Sequence, residues 1–204
     1  MNFPNTLSLL RIVLAPVFVF MFLSGQALQV ELSFFVFAIA AITDWYDGWF
    51  ARKYGFRTRW GQFLDPLADK ILTSAALYSF YVLNKSEPAF FGKDELVPIE
   101  ILILIIVFRD ILLTLVRSIS EFRGREFRTS MISKTKTFAQ MAYIFVVIGA
   151  VAATSAFAGS GFAADVTSFL YSKWNYYLLF LITLLTVASA VAYIFESSAS
   201  PNRK

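Results

Sequence analysis

The sequence predicts an all-α polytopic membrane protein, a single domain over residues 1–204 with six transmembrane helices. Three observations predict it. The chain is 58% hydrophobic with 23 Phe and a mean hydropathy of +0.65, too apolar for a soluble domain. Apolar runs of the length needed to cross a bilayer, about 20 residues, recur six times. Lys and Arg gather on alternate connections, the pattern of a chain that crosses repeatedly.

The first span, 7–25, follows Asn5 and is interrupted by Arg11. With no basic stretch before it and no small-residue cleavage site after it, it reads as a retained helix rather than a signal peptide. Asn5 and Arg11 can close a pocket at its cytoplasmic end, or serve simply as a capping Asn and a snorkelling Arg. The second span, 30–52, ends in an acidic stretch and is followed by Arg52, Lys53, Arg57 and Arg59. The third, 64–84, contains Pro66, which either occupies a first turn capped by Asp65 or kinks a helix begun near Gly61. The fourth, 96–119, carries Arg109 and Asp110 inside an apolar run. Arg117, Arg123, Arg125, Arg128, Lys134 and Lys136 lie between it and the fifth, 135–159. Segment 158–166 reads as a loop on the far side. The sixth span is 174–195, followed by Arg203 and Lys204.

The opposite connections hold only Lys85, Lys93 and Lys173, with Glu87, Asp94, Glu95 and Asp165 among them. By the positive-inside rule both termini and the acidic stretch face the cytoplasm, in a cell inner membrane. The net charge of +4 is an orientation signal that also suits anionic lipid, and gives no reason to invoke nucleic acid. There is no Cys and no His, which excludes disulfides, thiolate nucleophiles, zinc thiolate sites and imidazole bases.

The acidic stretch carries the chemistry. Asp44, Asp47, Asp65 and Asp69 stand on a fixed grid with Gly48, Ala51, Arg52 and Gly61 between them. Each carboxylate at membrane depth costs roughly 2.5 kcal/mol or more, so four together require counter-charge. On a helix Asp44 and Asp47 fall about 60° apart, with Gly48 and Ala51 on the same face. Gly61, Asp65 and Asp69 repeat every four residues and drift only about 80°. If the two faces meet, two divalent cations, Mg²⁺ or Mn²⁺, would balance the four charges, and an all-oxygen ligand set favours such hard cations over zinc. A pair of ions of this kind suits phosphoryl chemistry on a diphosphate. The small residues then leave room for a nucleotide and Arg52 can meet its phosphates. Close helix packing is the other use of Gly48 and Ala51.

The pattern Asp44-x2-Asp47-Gly48-x2-Ala51-Arg52-x8-Gly61-x3-Asp65-x3-Asp69 resembles the signature of the CDP-alcohol phosphatidyltransferase family, complete at all eight positions. Pro4 to Leu7 with Arg11, Gly61 to Lys70, Arg109-Asp110, Arg117 and Lys134 to Thr137 are similar to the branch whose acceptor is glycerol 3-phosphate, although Asp110 stands where Glu is more usual. The resemblance implies a six-helix enzyme, commonly a homodimer, that moves a phosphatidyl group from CDP-diacylglycerol to an alcohol and releases CMP. It further implies that Asp44, Asp47 and Asp65 ligate the metals with Asp69 completing the site, and that Asp69 is the base for the acceptor hydroxyl. Gly48, Ala51, Arg52 and Gly61 would line the CDP pocket, which Asn5 could help to close.

Glycerol 3-phosphate is a dianion and needs cations of its own. Arg109 and Arg117 lie about 80° apart on a helix and can face one cavity with Lys134 and Lys136, while Arg123, Arg125 and Arg128 suffice as topology determinants. An internal pair with Asp110 is the rival role for Arg109. Serine, inositol phosphate and phosphatidylglycerol are alternative acceptors. Two other classes compete: aromatic prenyltransferases, whose pattern lacks the Gly and Ala-Arg interleaving, and a divalent-cation transporter, which would spread its acids across the membrane depth.

Overall fold

The computed structural model describes residues 3–54, 59–87, 90–92, 96–122 and 131–198; the side chains of 3–6, 44–54, 59–64, 121–122 and 194–198 lie outside that description. The described chain is all helix and turn: α1 (Phe3–Phe22), α2 (Ala27–Tyr54), α3 (Arg59–Ser86), α4 (Ile99–Phe122), α5 (Met131–Ala156), α6 (Gly161–Leu170) and α7 (Lys173–Ser198). Six of these are the long helices anticipated from the apolar runs. Their ends differ in ways that matter. α3 starts at Arg59, so Pro66 lies inside it rather than in a first turn capped by Asp65, and its missing N–H frees a carbonyl one turn earlier. α5 starts at Met131, four residues before the expected span, which places Lys134 as well as Lys136 on the helix.

The expected loop at 158–166 is corrected. Ser160 adopts an extended backbone (φ −86°, ψ 155°) and its side chain accepts a hydrogen bond from the Ala163 N–H at 3.2 Å. That cap starts α6 at Gly161, within the segment whose Gly and Ser content reads as loop. The glycines do act as punctuation just outside helices: Gly25, in the turn joining α1 to α2, has φ +72°, where a side chain would be strained.

The long helices form a closed ring. α1 packs on α2, α2 on α5, α5 on α7, α7 on α4, α4 on α3, and α3 back on α1. Inside the ring an aromatic layer links the helices: Phe18 to Phe37 at 5.2 Å, Phe22 to Phe80 at 6.3 Å, Phe37 to Phe145 at 5.1 Å and Phe80 to Tyr143 at 6.3 Å, measured between ring centroids. These separations are in the range of favourable edge and offset contacts. Outside, Phe20, Phe35, Leu104, Phe108, Phe138 and Leu181 are exposed, an apolar surface far beyond what a soluble monomer presents. Among the described residues two helical stretches are long and apolar enough to cross a membrane, Met131–Ala156 and Lys173–Tyr193, with shorter apolar stretches at Leu7–Phe22 and Ala27–Thr43. The protein is therefore membrane-associated.

A polar lock closes the end of the ring that holds the α3–α4 and α6–α7 connections. The Tyr143 hydroxyl donates to Asn175 Oδ1 at 2.9 Å, and Asn175 Nδ2 donates to the Leu170 carbonyl at 2.8 Å and the Phe90 carbonyl at 3.4 Å. Tyr176 accepts from the Val97 N–H at 2.9 Å. Gly92 (φ +87°) lets the connection pass so close to α7 that a Cβ there would meet the Lys173 nitrogen at 3.3 Å. Because Asn175 is fully buried and satisfies three groups, Asn175→Ala should destabilise the protein by about 2 kcal/mol. A fall of several degrees in the melting temperature in detergent would register this, and an unchanged melt would contradict it.

Candidate active site

The opposite end of the ring gathers the charges. Asp65 and Asp69 lie one turn apart on α3, half-buried, as the four-residue spacing requires. Asp65 accepts a hydrogen bond from Ser8 of α1, and Asp69 pairs with Lys70 at 3.4 Å. Of the other predicted site residues on the acidic grid, Asp44, Asp47, Gly48, Ala51, Arg52 and Gly61 have side chains outside the described residues, as does Asn5. The backbone of α2 runs helically through 44–54 and α2 packs against α3. Among the described residues no three acids, His or Cys gather as a metal-ligating group; Asp65 and Asp69 are the two described members of the predicted set of four. Their oxygen-only chemistry fits a hard divalent cation.

Next to this pair lies a buried ionic cluster centred on Asp110 of α4. Asp110 is 3% exposed. Lys136 of α5, fully buried, donates to its Oδ1, Arg109 donates to the same oxygen at 3.0 Å, and Lys70 stands 3.7 Å from Oδ2. Arg109 is also held from α7, by a 2.6 Å hydrogen bond to Ser189. Lys70 thus bridges the predicted base Asp69 and the buried carboxylate. Three cations face two carboxylates here, Asp110 and, through Lys70, Asp69, and the positive charge left over in the recess suits a further anion.

Of the four residues assigned to an acceptor phosphate, the structure brings Arg109 and Lys136 together on Asp110. It leaves Arg117 and Lys134 at exposed positions, Arg117 close enough to Tyr193 of α7 to act on it electrostatically. The internal pair of Arg109 with Asp110, the rival role for this residue, is present. Arg11 is fully buried, so it is not a snorkelling residue.

Sequence reasoning did not assign Lys70, Ser8 or Ser189. Lys70 had a readable signal, since an ammonium directly after Asp69 in an otherwise apolar stretch of α3 is costly unless paired. Ser8 and Ser189 had none, because a serine in an apolar helix most often bonds back to its own backbone, as Ser189 also does to the Thr186 carbonyl at 2.8 Å.

A cavity of about 810 Å³ runs from Lys70 along the outer side of α1 and α3. Ala15, Pro16, Val19 and Phe20 form one wall, Leu67, Ile71, Ala75 and Tyr78 the other, and Ile111 of α4 completes it. Lys70 is the only charged residue among its described lining residues.

A helical, membrane-associated protein with an aspartate pair beside a basic recess and an apolar cavity is the setting for chemistry on a charged lipid. The profile of the CDP-alcohol phosphatidyltransferase family matches residues 1–184, and the chain belongs to that family. Relatives named CDP-diacylglycerol–glycerol-3-phosphate 3-phosphatidyltransferase are similar to it. The one from Rickettsia bellii (strain RML369-C) is 33% identical over 147 residues, 72% of this chain and 75% of the relative. That of Bacillus subtilis (strain 168) is 33% identical over 152 residues, 69% and 72% of the two chains. The match to the protein of Salmonella typhimurium (strain LT2) is 47% identical over 76 residues, and spans 37% of this chain and 42% of the length of that relative.

The buried cluster makes a sharp prediction about stability. Asp110→Ala should cost about 3–5 kcal/mol, because it strands the buried Lys136 ammonium. The double replacement Asp110→Leu with Lys136→Met should cost much less than Asp110→Ala alone. Denaturation in detergent of the single and double variants measures the difference; equal losses would mean the pair is not coupled.

Proposed function

We propose that the protein transfers the phosphatidyl group of CDP-diacylglycerol to sn-glycerol 3-phosphate, giving phosphatidylglycerophosphate and CMP. The observation that carries this reading is the adjacency of Asp65 and Asp69 to the Asp110 cluster, in a chain of this family. In this reading the first group acts on a diphosphate and its attacking hydroxyl, and the second holds a phosphorylated acceptor. The names of the relatives support the choice of acceptor; inositol phosphate, serine and phosphatidylglycerol are the alternatives.

In this reading the six long helices all span a cell inner membrane, with both termini and the acidic end cytoplasmic, and two copies form a homodimer. Asp44, Asp47, Asp65 and Asp69 would hold two Mg²⁺ or Mn²⁺ ions, which when bound neutralise the diphosphate and stabilise the departing CMP. Ser8 holds the Asp65 carboxylate in place from α1. Gly48, Ala51, Arg52, Gly61 and Asn5 line the CDP pocket. The apolar cavity beside Lys70 accepts acyl chain. Arg109 and Lys136, with Lys70, hold the acceptor phosphate, and Arg117 and Lys134 lie at the exposed approach to it. Asp69 takes the proton from the acceptor hydroxyl as that oxygen attacks phosphorus, and Lys70 pairs with the carboxylate at 3.4 Å. Direct attack needs no covalent intermediate, consistent with a chain that has neither His nor Cys.

Purified protein given CDP-diacylglycerol, glycerol 3-phosphate and Mg²⁺ should release CMP and form the phosphorylated lipid in equal amounts, and EDTA should stop both. No CMP release would overturn the assignment in favour of a transporter. Asp69→Asn should lower kcat by about 10²-fold or more. Arg109→Ala should raise the KM for glycerol 3-phosphate at least about tenfold while changing that for CDP-diacylglycerol far less. Equal effects on the two substrates would remove Arg109 from the acceptor site.

A further inference from the structure

One helical turn beyond Lys136, on the same face of α5, lies Gln140. It is 3% exposed, and its side-chain carbonyl Oε1 is buried with no hydrogen-bond partner among the described residues. Buried amide carbonyls without a donor are uncommon in folded interiors and call for a cause. The hydroxyls at the same depth do not supply one. Thr73, one turn beyond Lys70 on α3, donates to the Asp69 carbonyl at 3.1 Å, and Thr186, one turn below Ser189 on α7, donates to the Ile182 carbonyl at 2.7 Å. On α4 the corresponding residue, Ile106, has no donor to give. The helix therefore presents an acceptor without a donor directly beneath a recess rich in donors.

We infer that Gln140 is a specificity-determining residue, whose carbonyl accepts a hydrogen bond from a non-reacting hydroxyl of a short polyol monophosphate held by Arg109 and Lys136. The inference rests on the reading of that recess as the acceptor site. The recess above provides cations for the phosphate, but cations cannot distinguish one phosphomonoester from another. A carbonyl one turn deeper can, because a molecule lacking the hydroxyl leaves Oε1 unpaired. Lys136 and Gln140, four residues apart, have side chains about 5–6 Å from each other at their Cβ atoms, which is the reach of a three-carbon polyol phosphate.

The test compares two acceptors on the purified, full-length protein: glycerol 3-phosphate, and 3-hydroxypropyl phosphate, which lacks only the central hydroxyl. Wild type should favour glycerol 3-phosphate by at least about tenfold in kcat/KM. Gln140→Leu should bring the two within about twofold by slowing the glycerol 3-phosphate reaction alone, with the KM for CDP-diacylglycerol unchanged. Gln140→Met, closer in shape, is the second variant and should do the same. A merely structural role would lower both acceptors in parallel, and that result overturns the inference; so does equal use of both acceptors by wild type, which needs no variant at all. A wild type that transfers to neither acceptor overturns the reaction assignment together with this inference, and is thus distinguishable from the failure of the inference alone.

Discussion

The arrangement depends on one constraint: the Asp110 carboxylate is out of water and must be neutralised by cations from other helices. Lys70 of α3 and Lys136 of α5 meet it, and Arg109 beside it ties α4 to Ser189 of α7. In an apolar surrounding, helix faces gain little by hiding from lipid, so packing and polar contacts decide which face points inward. A buried charge with dispersed partners is a strong form of that decision. It fixes the depth of four helices relative to one another, because sliding any of them by a turn would separate charges that cannot be left alone.

The ring is held differently at its two ends. Around Tyr143, Asn175 and Tyr176 the contacts are neutral hydrogen bonds, all of them satisfied by protein groups, and the connections are pulled tight. At the other end the groups are charged and the ionic balance is incomplete, with an excess of cations around Asp110. Between them the aromatic layer transmits no charge and leaves little room for rearrangement. A rigid neutral floor beneath an unbalanced ionic layer is how a helical frame can hold reactive carboxylates at fixed spacing.

Much of this was legible in the chain. The long apolar runs gave the helices, and the four-residue step from Asp65 to Asp69 gave a shared face that the structure keeps. The helix ends were less legible. Of the two placements open to Pro66 the structure has the one inside a helix begun near Gly61, α5 starts four residues before the expected span because Lys134 reads as connection when it continues the helix, and α6 is hidden behind glycines that bound it. The recess was half legible: Arg109 and Lys136 stood out as charges near apolar runs, yet their meeting on Asp110 depends on a ring order that no local pattern encodes. Gln140 and Ser189 are single polar residues among apolar neighbours, and only their three-dimensional surroundings separate them from ordinary helix positions.

That ring order is not the order of the chain. α7, which follows both α4 and α5 in the chain, lies between them and supplies the hydroxyl that steadies Arg109. Until it arrives, the guanidinium is held by Asp110 alone among these partners. Biosynthesis therefore completes the basic recess only after every carboxylate of the acidic stretch has already been translated.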